Sequence, residues 1–264
     1  MAAPTLPARA PLPDVPRTGR ALPAFLLVGW RWISRNPAVT ITPVLLPFIF
    51  LYFLSLISPA SYRPLEIVGA MLFTMQNIGS WVLGDSATWR VECSLQDLFV
   101  ASPLGRIRYL FGIAFSNLIA MIPALAVLGA LLFWVGGAQG HPLTLYALLV
   151  LVGCLMVLWV LFSSIGIAIS SRVRTQREIW PVGNLTFTIL GMLSPLYYPL
   201  TVLPPLWQDA ARFLPTTYAA LLAQGALGIT PATPTQMLVY AGLLGACALV
   251  GLAVTLRLYR WGEA

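Results

Sequence analysis

Long apolar stretches with no charge near their middles limit this chain more than any other feature. They run over about 39–57, 66–84, 109–135, 143–171, 181–203 and 235–256. A helix of nineteen residues at about 1.5 Å each reaches roughly 28 Å, near the hydrocarbon thickness of a bilayer. A soluble core of this size does not need six such segments. The chain is 59% hydrophobic and 9% charged, whereas a soluble domain is about 25% charged. The reading is an all-α integral membrane protein with six transmembrane helices, forming one membrane domain over residues 20–264.

The charges mark the membrane boundaries. All fifteen basic residues are arginine. Six spans put both termini on one side, together with thirteen of the fifteen arginines; the other side holds only Arg63 and Arg212. Cytoplasmic loops carry the basic excess, so both termini and the segment 85–108 are expected in the cytoplasm of a multi-pass inner or plasma membrane protein. The net charge of +7 is thus a topology signal, and no nucleic-acid partner is implied. Residues 1–19, rich in Pro, Ala and Arg, read as a disordered cytoplasmic tail without the compact apolar core of a secretory signal. Residues 20–36 mix Trp30, Trp32 and Ile33 with Arg20, Arg31 and Arg35, which fits an interfacial helix.

The longest polar interruption is Asp85–Arg108, DSATWRVECSLQDLFVASPLGRIR. Its middle, Ala87–Ala101, reads as an amphipathic helix. Val91, Leu95 and Leu98 form a helical stripe, and Arg90, Glu92, Ser94, Gln96 and Asp97 fill the other positions. Asp85 or Ser86 fits a cap, and Ser102-Pro103 stops the helix. Such a helix either lies at the membrane surface and presents its polar face to a partner, or connects two spans as a solvated loop.

Toward the end of the fifth apolar stretch and just past it, Ser194-Pro195, Tyr198-Pro199 and Pro204-Pro205 interrupt the chain. Two apolar pieces follow, Leu206–Leu214 and Thr217–Gly228, each too short to span. They are expected as short re-entrant or interfacial helices on the outer side, folded against the bundle so that their backbone is satisfied.

Familiar catalytic patterns are missing. There is no Gly-rich phosphate loop with lysine. The only histidine, His141, lies in a tight loop, and Ser163 and Ser164 have no histidine near in sequence. Cys93, Cys154 and Cys247 fit neither a disulfide framework nor a zinc spacing, so no metal is expected. Uncharged polar residues do fall in the spans. Gln76, Asn77, Asn117 and Asn184 fit interhelical hydrogen bonds or a polar-tolerant substrate path. Tyr197 and Tyr198 fit an aromatic interface belt or substrate contact. The pairs Gly166/Ser170 and Gly242/Ala246 have the spacing that lets helices approach closely. Glu66 and Asp85 stand at span ends, and interior charges of the kind that carry a coupling ion are lacking.

Four segments, in this order, resemble the membrane subunit of ATP-binding-cassette exporters of the second type, the drug- and polysaccharide-export permeases. Trp30–Phe53, WRWISRNPAVTITPVLLPFIFLYF, is similar to the family's interfacial helix, its Arg-(x)-Pro opening and a first span with an internal proline. Trp89–Gly112, WRVECSLQDLFVASPLGRIRYLFG, resembles the family's coupling segment. Arg172–Asn184, RVRTQREIWPVGN, fits the loop before the fifth span. Leu193–Gly228, with SPLYYPLTVLPPL and FLPTTY, is the most specific match and resembles the paired short outer helices. The likeness runs from about Arg20 to the C-terminus. One departure stands out: where the family often has Glu, Val91 and Cys93 flank Glu92.

The resemblance implies a permease that moves an amphipathic drug-like, lipid or glycolipid cargo outward. Two copies, or this chain and a close paralogue, would form the pore among membrane lipids. ATP and magnesium would be held by a separate cytoplasmic ATPase subunit, with no cofactor and no catalytic site on this chain. The coupling helix would enter a groove on that ATPase, using Arg90, Glu92, Leu95, Asp97, Leu98 and Phe99. Gln76, Asn77, Asn117, Asn184, Tyr197 and Tyr198 would line the cargo path. The rival readings are a nucleotide-independent secondary transporter or channel, a non-transporting scaffold, and an intramembrane enzyme.

Overall fold

Proline and small polar residues set where the helices begin. The structure, a computed structural model, describes residues 34–93 and 105–259, together with 23, 27, 30, 31, 96, 99 and 100. Helix α1 covers Pro37–Ile57, α2 Arg63–Val91, α3 Arg106–Ala138, α4 Leu145–Ser170 and α5 Gln176–Leu193. The short helices α6, Pro205–Ala211, and α7, Pro215–Ala226, precede α8, Pro234–Leu258. Proline occupies the first turn of α1, α2, α6, α7 and α8, where its fixed φ suits the helix and its missing N–H is not needed. Thr144 caps α4 by accepting from the Ala147 N–H, and Thr233 with Gln236 forms a capping box on α8, each satisfying orphan first-turn donors. Among the described residues there is no strand.

Among the described residues, four stretches are long and apolar enough to cross a bilayer: Ala60–Val91, Arg106–Ala138, Leu145–Ser170 and Pro234–Leu258. They contain α2, α3, α4 and α8. Helix α1 is apolar over the shorter stretch Ile41–Ile57. Helix α5 opens on the polar Gln176-Arg177-Glu178 and stops at Leu193, because proline at 195 disfavours helical geometry at Ser194. The fifth helix is therefore shorter than the 181–203 expected from hydropathy. The interfacial helix over 20–36 lies largely outside the described residues; Pro23, Leu27, Trp30, Arg31, Ser34 and Arg35 are helical and exposed. The tail 1–19 lies wholly outside them.

The expected break between the second span and the polar segment is absent. Helix α2 continues through Asp85 and Ser86 to Val91, so Ala87–Val91 belong to the spanning helix. Both polar side chains find partners on other helices. Asp85 accepts from Asn117 Nδ2 at 2.9 Å, and the Ser86 hydroxyl accepts from Ser170 at 3.0 Å.

Helix α2 is the axis of the bundle. It contacts α1, α3, α4, α5 and α7, and 89% of its most apolar window is buried. Glycine makes its closest crossing possible. A Cβ on Gly166 of α4 would sit 2.3 Å from the Gly79 carbonyl oxygen, and one on Gly79 would sit 2.2 Å from the Phe187 ring of α5. The backbones of α2 and α4 thus meet at Gly79, with the Phe187 ring of α5 against the same glycine, and no larger side chain fits there. Helix α8 lies outside, against α4 and α7.

Candidate functional site

The polar segment meets the bundle where α2 ends and α3 begins. Two arginines organise this junction. Arg90, in the last turn of α2, donates from Nη2 to the carbonyls of Ser170, at 2.6 Å, and Val173. These groups close α4, whose terminal carbonyls lack helical partners and carry negative partial charge. Arg106, in the first turn of α3, donates to the carbonyls of Thr255 and Leu256 near the end of α8. Its guanidinium also lies over the Tyr259 ring, 5.8 Å from the centroid, a cation–π geometry. Each arginine therefore ties the polar segment to the end of another helix.

The same junction holds the described part of the polar segment itself. The Tyr259 hydroxyl donates to Gln96 Oε1 at 3.1 Å, and both residues are buried. Burial raises the pKa of Tyr259, which keeps the phenol neutral and able to donate. Phe99 stacks on Trp89 with centroids 6.2 Å apart and tilts against Tyr109 at 5.2 Å. Thr255 donates to the Ser164 carbonyl at 2.7 Å, which joins α8 to α4. A displacement of the segment at Gln96 or Phe99 bears directly on α2, α3 and α8, and through Arg90 on α4. The arrangement suits mechanical transmission. It brings together no acid–base pair, and among the described residues no cluster of His, Cys, Asp and Glu could hold a metal.

The residues expected to meet an ATPase are thus divided. Arg90 is half-buried and turned onto α4. Glu92 is exposed just past the end of α2. Phe99 is half-buried against the aromatic group. Leu95, Asp97 and Leu98 lie outside the described residues.

The residues expected along a substrate path face different neighbours. Gln76 is fully buried and donates from Nε2 to the Phe187 carbonyl of α5 at 2.8 Å. Asn184 is exposed on α5 and accepts from Ser80 at 3.2 Å. Tyr197 stacks on Phe50 of α1 with centroids 6.1 Å apart, and its neighbour Tyr198 is half-buried. Asn77 lines a narrow gap beside Pro43, Pro47 and Trp81. Asn117 faces the other side of α2, where it holds Asp85. Gln76, Asn184 and Tyr197 therefore share the α1–α2–α5 flank, and Asn117 does not. Sequence reasoning missed Arg106, Gln96, Tyr259 and the Asp85–Asn117 pair. The available signal was the placement of arginine within a turn of a span end, where the terminal carbonyls of neighbouring helices need donors.

Residues 24–227, most of the chain, match the family model described as ABC-2 type transporter, and the chain belongs to that family. It is also similar to the linearmycin resistance permease protein LnrN of Bacillus subtilis (strain 168), with 32% identity over 101 residues. That match covers 36% of this chain and spans a quarter of the relative's length, 25%. The ABC-2 domain and the several apolar helices together define a multi-pass membrane protein.

Proposed function

We propose that this chain is the permease subunit of an ATP-binding-cassette exporter. Helices α1 to α5 and α8 are its six spans, residues 20–264 form one membrane domain behind the tail 1–19, and both termini are cytoplasmic. The junction around Arg90, Gln96, Phe99, Arg106 and Tyr259 carries this reading, because it connects one polar segment to the ends of α2, α3, α4 and α8. Residues 90–101 dock into a cytoplasmic ATPase that holds ATP and magnesium and performs the hydrolysis. Glu92, Leu95, Asp97 and Leu98 make the contact, while Arg90 and Phe99 transmit it inward. Two permease copies, or this chain and a close paralogue, meet along the flank of α1, α2 and α5. An amphipathic drug-like, lipid or glycolipid cargo passes there, near Gln76, Asn77, Asn184, Tyr197 and Tyr198. The resistance permease named above supports a drug-like cargo.

Replacing Glu92 and Asp97 together with alanine is the test. Expected is continued ATP hydrolysis with transport lost at unchanged expression. Normal transport by that variant contradicts the assignment.

One observation favours a second reading, nucleotide-independent transport. Glu66 is only 2% exposed, and its Oε1 has no hydrogen-bond partner among the described residues. Glu66 stands in the first turn of α2, yet it is buried, and buried carboxylates carry coupling ions in other transporters. Uptake or efflux that follows a proton gradient, ignores nucleotide and is lost in Glu66→Gln belongs to that reading.

A further inference from the structure

A chamber lies between α3, α4 and α8, on a flank away from the α1–α2–α5 face. It holds about 230 Å³ and is lined by Leu110, Ala114, Trp159, Ile167 and Leu252 among others. Ile107 and Phe111, both exposed, stand at its edge. Ile107 and Leu256 also line a second cavity of about 630 Å³, together with Arg106 and Arg108. The two share this wall, an apolar chamber beside an open basic groove.

Two further details point to an occupant. The Ser163 hydroxyl lines the chamber, is 3% exposed and has no hydrogen-bond partner among the described residues. Its neighbour Ser164 satisfies itself on the Val160 carbonyl at 2.6 Å, so the absence at Ser163 is not a general property of this helix. A buried hydroxyl without a partner is costly and calls for an acceptor. Arg108 is exposed and makes no ion pair among the described residues. Arg257, one residue beyond Leu256, is exposed as well.

We infer that this groove binds an anionic glycerophospholipid, with the phosphate at Arg108, an acyl chain in the chamber and an ester carbonyl accepting from Ser163. Ser163 lies two turns, about 10 Å, before the end of α4, on the wall of the chamber. Basic pockets between transmembrane helices recognise acidic headgroups by charge, and an apolar chamber takes the chain. The inference needs only that α3, α4 and α8 cross the membrane; it does not depend on what the chain transports.

The test is lipid retention by the full-length protein with any partner that accompanies it. The protein is delipidated in mild detergent and offered phosphatidylglycerol or phosphatidylcholine with identical acyl chains. Native mass spectrometry then counts bound lipid. Expected is retention of phosphatidylglycerol over phosphatidylcholine, weakened about fivefold by Arg108→Gln and abolished by Ser163→Leu, which fills the chamber. Equal retention of both lipids, or unchanged retention in both variants, overturns the site. A photoactivatable phosphatidylglycerol on the unaltered protein guards against a variant that fails to fold. Cross-links at Leu110, Trp159 or Leu252 support the site, and cross-links confined to other helices overturn it.

Discussion

Arg90 ends α2 with its guanidinium turned onto the carbonyls that close α4. From sequence, this residue and Arg106 read only as topology signals and, for Arg90, as a surface contact. Their partners lie 80 and 149 positions away, a separation that no local pattern encodes. The structural role makes a definite expectation. Arg90→Met removes a charged donor from two carbonyls, and hydrogen bonds to charged groups contribute about 1.5–3 kcal/mol. The variant should unfold at lower temperature in detergent than the unaltered protein. A surface arginine that only touches a partner would leave that temperature unchanged. Gln76 and Asn117 show the opposite relation to sequence. Their type and location within spans made interhelical hydrogen bonding one of two readings, and each makes such a bond, at 2.8 and 2.9 Å.

Helix α2 shows what an element adds beyond its residues. Its apolar run was legible over 66–84, yet the helix extends to Val91. Asp85 and Ser86 looked like a boundary because polar groups end apolar spans. Here Asn117 and Ser170 satisfy them, and the helix carries on. The small-residue pairs also separate at this scale. Gly166 meets Gly79 backbone to backbone, while a Cβ on Gly242 would have nothing within 4 Å in this chain. Gly166→Ala should therefore destabilise the purified protein, since overpacking costs about 1–3 kcal/mol. Gly242→Ala should stabilise it by up to about 1 kcal/mol through helix propensity. Thermal unfolding of the two variants side by side reads both effects. Equal behaviour of the pair contradicts the α2–α4 crossing. The end of α5 was misjudged in the other direction: hydropathy carried the fifth stretch to 203, but the helix stops at Leu193, ahead of Pro195.

At the scale of the whole molecule, the membrane class followed from the apolar runs alone, because no soluble packing accommodates them. Orientation and partners depend on surfaces beyond the chain. Cys93 is exposed, whereas Cys154 is buried, so Cys93 can report which side the junction occupies. A membrane-impermeant maleimide should label it in inverted vesicles and leave it unlabelled in sealed right-side-out vesicles. The reverse pattern contradicts a cytoplasmic junction. Partner binding is tested most cleanly at Leu98, because Phe99→Asp would also break the stack on Trp89. The decisive measurement is gentle affinity purification of this chain from its own membranes, with mass spectrometry and an ATPase assay, for the unaltered protein and for Leu98→Asp. Expected is a Walker-type ATPase in equal amount with nucleotide-dependent activity, both lost in Leu98→Asp while the permease itself remains folded. Recovery of the unaltered chain alone in several mild detergents, with no nucleotide-dependent activity, contradicts the exporter assignment.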